Sequence, residues 1–205
     1  MVMQSSAPQG DSLLKRDLEN DPAVIYVLDR DLRILFCNKA WDRFAAGNGG
    51  VGLERHRQLG RCVMDAVPAP LRPFFEEGYG RVRASRQAWE HRYECSSPTV
   101  YRAFHMAVYP APRGEGLVVV NSLAVERPHD PLERIARLPD ETAYEAPDGT
   151  VTMCCHCRRT SRLKETAVWD WVPAYVENPA ARVSHGMCSV CLNLFYPEFG
   201  SEQPA

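Results

Sequence analysis

The chain has 205 residues, of which 45 % are apolar and 24 % charged, the balance of an ordinary folded protein rather than a disordered or low-complexity one. Its formal net charge of −2 gives no global attraction to nucleic acid or an acidic membrane surface. No apolar run nears the roughly 20 residues of a spanning helix, and "MVMQSSAPQG" lacks the basic start and apolar run of a signal peptide, so a cytoplasmic location is expected.

Residues 1–20 form an N-terminal extension: a lead-in over 1–10, then "DSLLKRDLEN", which predicts a short helix capped by Asp11 with Leu13, Leu14 and Leu18 on one side. In "AVIYVLDRDLRILFC" two β-rich runs flank "DRD", a hairpin signal. "NKAWDRFAA" predicts a helix with Asn38 as N-cap and Trp41, Phe44 and Ala45 at helical spacing. "GNGGVG" reads as a loop, and "LERHRQLGRCVMDAVP" as short helical turns. "APLRPFFEEGYGRVRASR" predicts a helix with a stripe of Leu71, Phe74, Phe75, Tyr79 and Val82.

Three strands follow. Alternation in "QAWEHRYEC" turns Trp89, His91, Tyr93 and Cys95 inward and Glu90, Arg92 and Glu94 outward. In "VYRAFHMAVY", Phe104, Met106 and Val108 share a face; "EGLVVVNSLAV" is the last strand. Two strands, several short helices, then three strands give an α+β domain with an antiparallel sheet covered by helices on one face.

This pattern resembles a PAS domain. "DPAVIYVLDRDLRILFCNKAWDRFA" is similar to the family's opening strand, hairpin Asp, strand and Asn-led helix. "LGRCVMDAVP" is similar to its short-helix segment, and "YRAFHMAVYPAPRGEGLVVVNSLAVER" to its last two strands. The resemblance implies a sensory domain over 21–127 with a five-stranded antiparallel sheet. PAS domains often hold a small molecule or haem between sheet and helices. Trp41, Phe44, Phe74, Phe75, Trp89, His91, Tyr93 and Met106 are the candidate lining of such a cavity, or else the packing of a filled core. The ligand is not legible. Haem would need an axial histidine, for which His91 and His56 are the candidates. PAS-like domains often pair with themselves, so a homodimer involving the leucines near 13–18 is an expectation of the same kind.

Residues 128–149 read as a linker helix and hairpin. "DPLER" is a helix-start signal, with Asp130 as cap, Pro131 at the first helical position and Glu133 at the reciprocal capping position. "EAPDGTV" is a turn with Asp148 and Gly149 at its tip.

Five of the eight cysteines, Cys154, Cys155, Cys157, Cys188 and Cys191, crowd into the last quarter of the chain. They contain two C-x-x-C pairs, Cys154 with Cys157 and Cys188 with Cys191. Two intervening residues let a tight turn aim both sulfurs at one point about 2.3 Å away, the Zn–S distance, and two such turns complete a closed tetrahedron. "VWDWVPAYVEN" between the pairs reads as a strand and helix, and "CLNLFYPEF" as a helix ended by Pro197. Knuckle, excursion and second pair at a helix start are similar to a treble-clef finger, so residues 150–199 are expected to be a four-cysteine zinc module and 200–205 a tail. The run also resembles a cysteine-rich module that follows PAS and receiver domains in bacterial signalling proteins, on its C-x-x-C pair, Trp169 or Trp171, "SHGMCSVC" and "YPE". That likeness implies a regulatory accessory role and a signalling partner.

A segment of about 50 residues buries little apolar surface, and structural zinc contributes about 10–16 kcal/mol in finger peptides. Trp169, Trp171, Tyr175, Leu192, Phe195 and Tyr196 would supply its modest core. Redox use of the pairs and an iron–sulfur cluster stay open, because the same thiolates serve both. Cys155 and His156 read as surface residues of the knuckle. His185 is read as donating to a ligand sulfur or packing beside it, with replacement of one cysteine as the alternative. "RRTSRLK" could touch phosphate in a nucleic-acid-binding regulator, but residues 150–205 balance five basic side chains against five acidic ones, favouring a solvated loop. No phosphate-binding glycine loop, H-E-x-x-H or nucleophile elbow occurs, and a closed site of four cysteines lacks the open position catalysis needs. The expected function is a non-enzymatic signal sensor or adaptor.

Overall fold

A computed structural model of the chain describes residues 16–48, 50–112, 116–130, 132–178 and 182–200. The expected lead-in, the Asp11 cap, Leu13, Leu14 and Pro131 lie outside these residues. Residues 16–20 are helical.

β1 (Val24–Leu28) and β2 (Ile34–Cys37) form the expected antiparallel hairpin. Its turn is set by Asp29, whose carboxylate accepts the N–H of Asp31 at 2.9 Å and of Arg33 at 2.8 Å. Asn38 then precedes α1 (Lys39–Gly47), but its side chain does not cap that helix. It is fully buried, accepts from Ile25 N at 3.1 Å, and donates through Nδ2 to the carbonyl of Ala23 at 2.8 Å and of Leu18 at 3.1 Å. The residue read as a local cap is therefore a knot tying the entry of β1 to the start of α1. Asn38→Ala orphans buried backbone groups and should cost about 1–3 kcal/mol, read as a lower urea midpoint with an unchanged m-value.

α2 (Arg55–Gln58) and a 3₁₀ turn at Val63–Ala66 fill the region expected to hold short turns. α3 (Arg72–Ser85) buries Tyr79 and Val82 on the expected stripe. β3 (Trp89–Glu94), β4 (Val100–Pro110) and β5 (Leu117–Pro128) complete a five-stranded antiparallel sheet of order β2-β1-β5-β4-β3, with β3 at one edge. Phe104, Met106 and Val108 are buried together on β4, as alternation predicts.

The chain divides into two compact units that interleave in sequence. The first takes the chain up to Val67 with Phe74–Trp89 and Ala107–Ser122; the second takes Pro68–Pro73, Glu90–Met106 and everything from Leu123. The second unit thus contains most of β3, the first part of β4 and the cysteine-rich segment.

In the second unit the helix expected at Asp130 does not propagate. Asp130 caps one turn, its carboxylate accepting Leu132 N at 2.8 Å and its carbonyl accepting Arg134 N at 3.0 Å. Leu132, Ile135 and Leu138 are exposed, so a helix here would have no apolar surface to bury. Ala136 forms a parallel bridge with Trp171, and Arg137 N donates to the Trp171 carbonyl at 2.8 Å, which uses the backbone in a strand-like way. The helix of this joint comes later, as α4 (Glu141–Tyr144), capped by the Asp140 carboxylate. The turn at Asp148 and Gly149 has one full strand after it; before it stands only the Glu145 bridge to Val151.

β6 (Thr150–Cys154), β7 (Thr160–Ser161), β8 (Trp169–Asp170) and β9 (Arg182–Gly186) form a second sheet of order β8-β7-β6-β9, in which β9 runs parallel to β6. α5 (Pro173–Glu177) completes the excursion between the cysteine pairs. Tyr144, Val151, Met153, Val172 and Tyr175 make one small core of this segment. α6 (Ser189–Phe195) follows; Pro197 ends it, as expected, but also opens a further turn, α7 (Pro197–Gly200), because proline is at home in the first turn of a helix.

Candidate metal centre

Two different local structures deliver the four C-x-x-C sulfurs to one place. Cys154 and Cys157 bracket the β6–β7 turn, which is closed by Cys154 N to the Arg159 carbonyl at 2.8 Å and Arg158 N to the Cys154 carbonyl at 3.1 Å. Arg158 completes the turn at φ 63°, a left-handed conformation that side chains other than glycine rarely adopt. Cys188 and Cys191 sit at the start of α6, where Cys188 is the N-cap and its sulfur accepts Cys191 N at 3.4 Å. Two cross-links bring the pairs together: Cys155 N donates to the Gly186 carbonyl at 3.0 Å, and Cys188 N to Cys154 Sγ at 3.5 Å. Gly186 has a packing reason of its own, since a Cβ there would stand 3.0 Å from the Trp169 ring.

The four ligand atoms lie within 4.8 Å of one another, and all four residues are buried. Cys157 Sγ and Cys188 Sγ are 3.6 Å apart. A tetrahedron with Zn–S bonds of about 2.3 Å has edges of about 3.8 Å, so the spacing fits one ion at the centre. These cysteines form a core by themselves, with Trp169, Met187 and Phe195 packed around them.

Electrostatics point to the same need. Hydrogen bonding from Cys157 lowers the Cys154 thiol to about 7, whereas hydrogen bonds to its three neighbours, with burial, push Cys191 up. A set of thiols this close shares out its negative charge unevenly; a divalent cation lets all four ionise. Arg159 supplies one positive group, its Nη1 lying 3.7 Å from Cys157 Sγ. Burial opposes the charge on Arg159, but the sulfurs outweigh it and its pKa is raised.

The neighbours of the ligands differ from expectation. His156 is buried rather than on the surface. Its Nδ1 lies 2.7 Å from the Glu94 carbonyl, which can only accept, so Nδ1 carries the proton. Nε2 then accepts from the Tyr196 hydroxyl at 2.8 Å, and burial lowers the pKa of the ring, keeping it neutral. Cys155 stands outside the four-sulfur group, and burial pushes its thiol up to about 12. His185 is exposed on β9, opposite Met153, and is not one of the mutually close ligand atoms. Its exposure and its absence from the mutually close ligand atoms remove it from the ligand role considered for it.

Glu94, placed outward by alternation, is buried. Arg134 explains this: its Nη2 pairs with the Glu94 carboxylate, its Nη1 donates to the Cys157 carbonyl at 2.7 Å, and its guanidinium lies 5.0 Å from the Trp171 ring. Sequence reasoning missed this pair, since neither residue belongs to a motif and 40 residues separate them.

The candidate cavity residues fall in both units. In the first, Trp41 stands edge-on to Tyr26 at 5.8 Å and donates from Nε1 to the Leu53 carbonyl at 2.7 Å; Phe44 is half-buried. Phe74, Phe75 and Tyr79 surround the Trp89 ring at 5.3, 5.9 and 5.8 Å between centroids. Gly78 permits this, because a Cβ there would come within 2.5 Å of the indole. In the second unit Met106 is buried, Tyr93 stacks on Phe104 at 5.5 Å, and His91 lies 4.9 Å from Tyr196. His91 and Tyr93, expected in the lining of a cavity, thus pack on aromatic residues of their own unit, and burial followed by the nearby His156 lowers His91 to about 4. His56, the other histidine considered for haem, is exposed at the start of α2.

Among the described residues no helix is long and apolar enough to cross a membrane. An uncharacterized 104.1 kDa protein in the hypE 3' region of Rhodobacter capsulatus is 32 % identical over 116 residues, covering 53 % of this chain and 12 % of that protein. The chain therefore spans only a small part of the curated relative it matches. Among solved structures, the PAS domain of Bordetella pertussis BvgS is 22 % identical with a TM-score of 0.45, over 58 % of this chain and 90 % of that domain. The photoactive yellow protein domain of the sensor histidine kinase Ppr from Rhodospirillum centenum is 15 % identical with a TM-score of 0.41, over 55 % and 94 %. The PAS fold matches residues 18–126, more than half of the chain, from ahead of β1 through nearly all of β5. The chain belongs to the PAS fold family.

Proposed function

We propose that this is a non-enzymatic signalling protein in which a PAS fold, sensing a small ligand or docking a partner, is joined to a structural four-cysteine zinc centre that provides a second interaction surface. The observation that carries the metal half is the convergence of four buried cysteine sulfurs within 4.8 Å. The PAS fold carries the sensory half.

The geometry favours one ion over an iron–sulfur cluster, which places several atoms between its cysteines and holds the thiolates further apart. It also favours zinc over dithiol cycling, because four sulfurs converge rather than one pair. The basic run beside the first knuckle has other work: Arg159 faces Cys157, and Arg162 Nε pairs with Asp170 at 2.6 Å. That weighs against a nucleic-acid surface there.

Elemental analysis of purified protein should find about one zinc per chain, and Cys157→Ala or Cys188→Ala should lose it. Metal-free protein with an ordered C-terminal segment would contradict the reading; a Soret band or iron–sulfur absorbance in fresh protein would replace zinc by another cofactor.

A further inference from the structure

The turn that carries two of the four cysteines is wired to one residue of the sheet, within the second unit. The Cys157 carbonyl accepts Arg134 Nη1, and Arg134 Nη2 pairs with the Glu94 carboxylate. One residue earlier in the turn, His156 donates to the Glu94 carbonyl and accepts from Tyr196, which follows α6. The Glu94 carbonyl is thus held by the cysteine turn directly and its carboxylate through Arg134, and both Glu94 and Arg134 have side chains only 7 % exposed.

We propose that occupancy of the four-sulfur centre is transmitted to β3, so that the centre is a metal-responsive input to the sheet as well as a staple. This rests on the zinc reading above. Two ligands are the two ends of the turn, so a bound ion fixes its shape. Without the ion the turn loses the tie between its two ends and to the second cysteine pair, and only hydrogen bonds hold its shape. An altered turn takes the Cys157 carbonyl from Arg134 and the His156 ring from Glu94. The Glu94–Arg134 pair then loses the Cys157 carbonyl and keeps Ser96 Oγ as its partner, and a buried network left partly satisfied is costly to hold in place. β3 is an edge strand, paired on one side only, so its end can open without breaking the rest of the ladder. The coupling is reciprocal: whatever holds β3 raises the affinity of the centre for its ion.

The test is hydrogen exchange followed by mass spectrometry on the full chain, zinc-loaded and after stripping with a chelator, with zinc content measured in parallel. Peptides over 90–95 and 150–160 should both exchange roughly tenfold or more faster after stripping, while a peptide over β1 and β2 stays constant. Arg134→Met should retain about one zinc per chain yet show fast exchange over 90–95 even when loaded. If Arg134→Met does not fold, Arg134→Lys, which keeps a charge for Glu94 but lacks the fork that also reaches Cys157, should show the same uncoupling in weaker form. Opening of 150–160 with 90–95 unchanged would refute the coupling and leave the zinc reading standing. A chain that takes up no zinc, as purified or on titration, would overturn both.

Discussion

Stripping zinc from the folded chain should cost the cysteine-rich segment its tertiary structure, the largest single effect expected in this protein. Structural zinc contributes about 10–16 kcal/mol in finger peptides, more than a segment of this size gains from apolar burial. The packing shows why. Among the described residues of 140–196, one small core has five buried members, and the buried members of another are the four cysteines themselves. The strands add little that is independent, since β7 and β8 have two residues each. Limited trypsin digestion reads the outcome. In loaded protein the chain after Arg158, Arg159 and Arg162 is held by the turn and the β7–β8 pairing and should resist cleavage; after chelation these bonds should be cut readily. Cys188→Ala should behave like stripped protein. Cys155→Ala should behave like wild type, because that thiol lies outside the four-sulfur group. Continued protection of Arg158–Arg162 in verified metal-free protein would show that packing alone holds the segment.

What could be read from sequence here depended on the range of the interactions involved. The four sulfurs were legible because each pair is local: a C-x-x-C turn has a preferred shape wherever it occurs. Strands, hairpin and α3 were legible from periodicity, which is also local. Asn38 shows the limit of such reasoning. Its position before α1 was correct, but a side chain fully buried among backbone groups of the preceding segment serves those groups, and only the fold could bring them to it. His156 and Glu94 fail in the same way. Alternation placed Glu94 outward because it cannot foresee that a guanidinium 40 residues away will accompany it inside. His156 sits between two ligands, where a turn usually faces water; the Tyr196 hydroxyl and a strand carbonyl cover it instead. Asp130 gave a sound capping signal, yet a helix needs a surface for its apolar side, and Leu132, Ile135 and Leu138 find none.

The Glu94–Arg134 pair carries the second large prediction. Arg134→Met leaves a buried carboxylate with Ser96 Oγ as its remaining side-chain partner in this network and orphans the Cys157 carbonyl. Breaking a buried ion pair from one side costs about 3–5 kcal/mol, so the urea midpoint of the zinc-loaded protein should fall sharply. Glu94→Gln keeps an oxygen for Arg134 but leaves the buried guanidinium without its countercharge, so it too should lower the midpoint. The combination is the decisive measurement. If the loss in Arg134→Met comes from the stranded carboxylate, then adding Glu94→Gln removes that charge, and the double variant should be more stable than Arg134→Met alone. Strict additivity of the two losses would mean that the side chains act independently, and that Arg134 matters for its stacking on Trp171 and its bond to Cys157 rather than for its charge partner. Recovery in the double variant would identify charge compensation as the reason an acidic residue at an outward strand position is buried beside the cysteine turn.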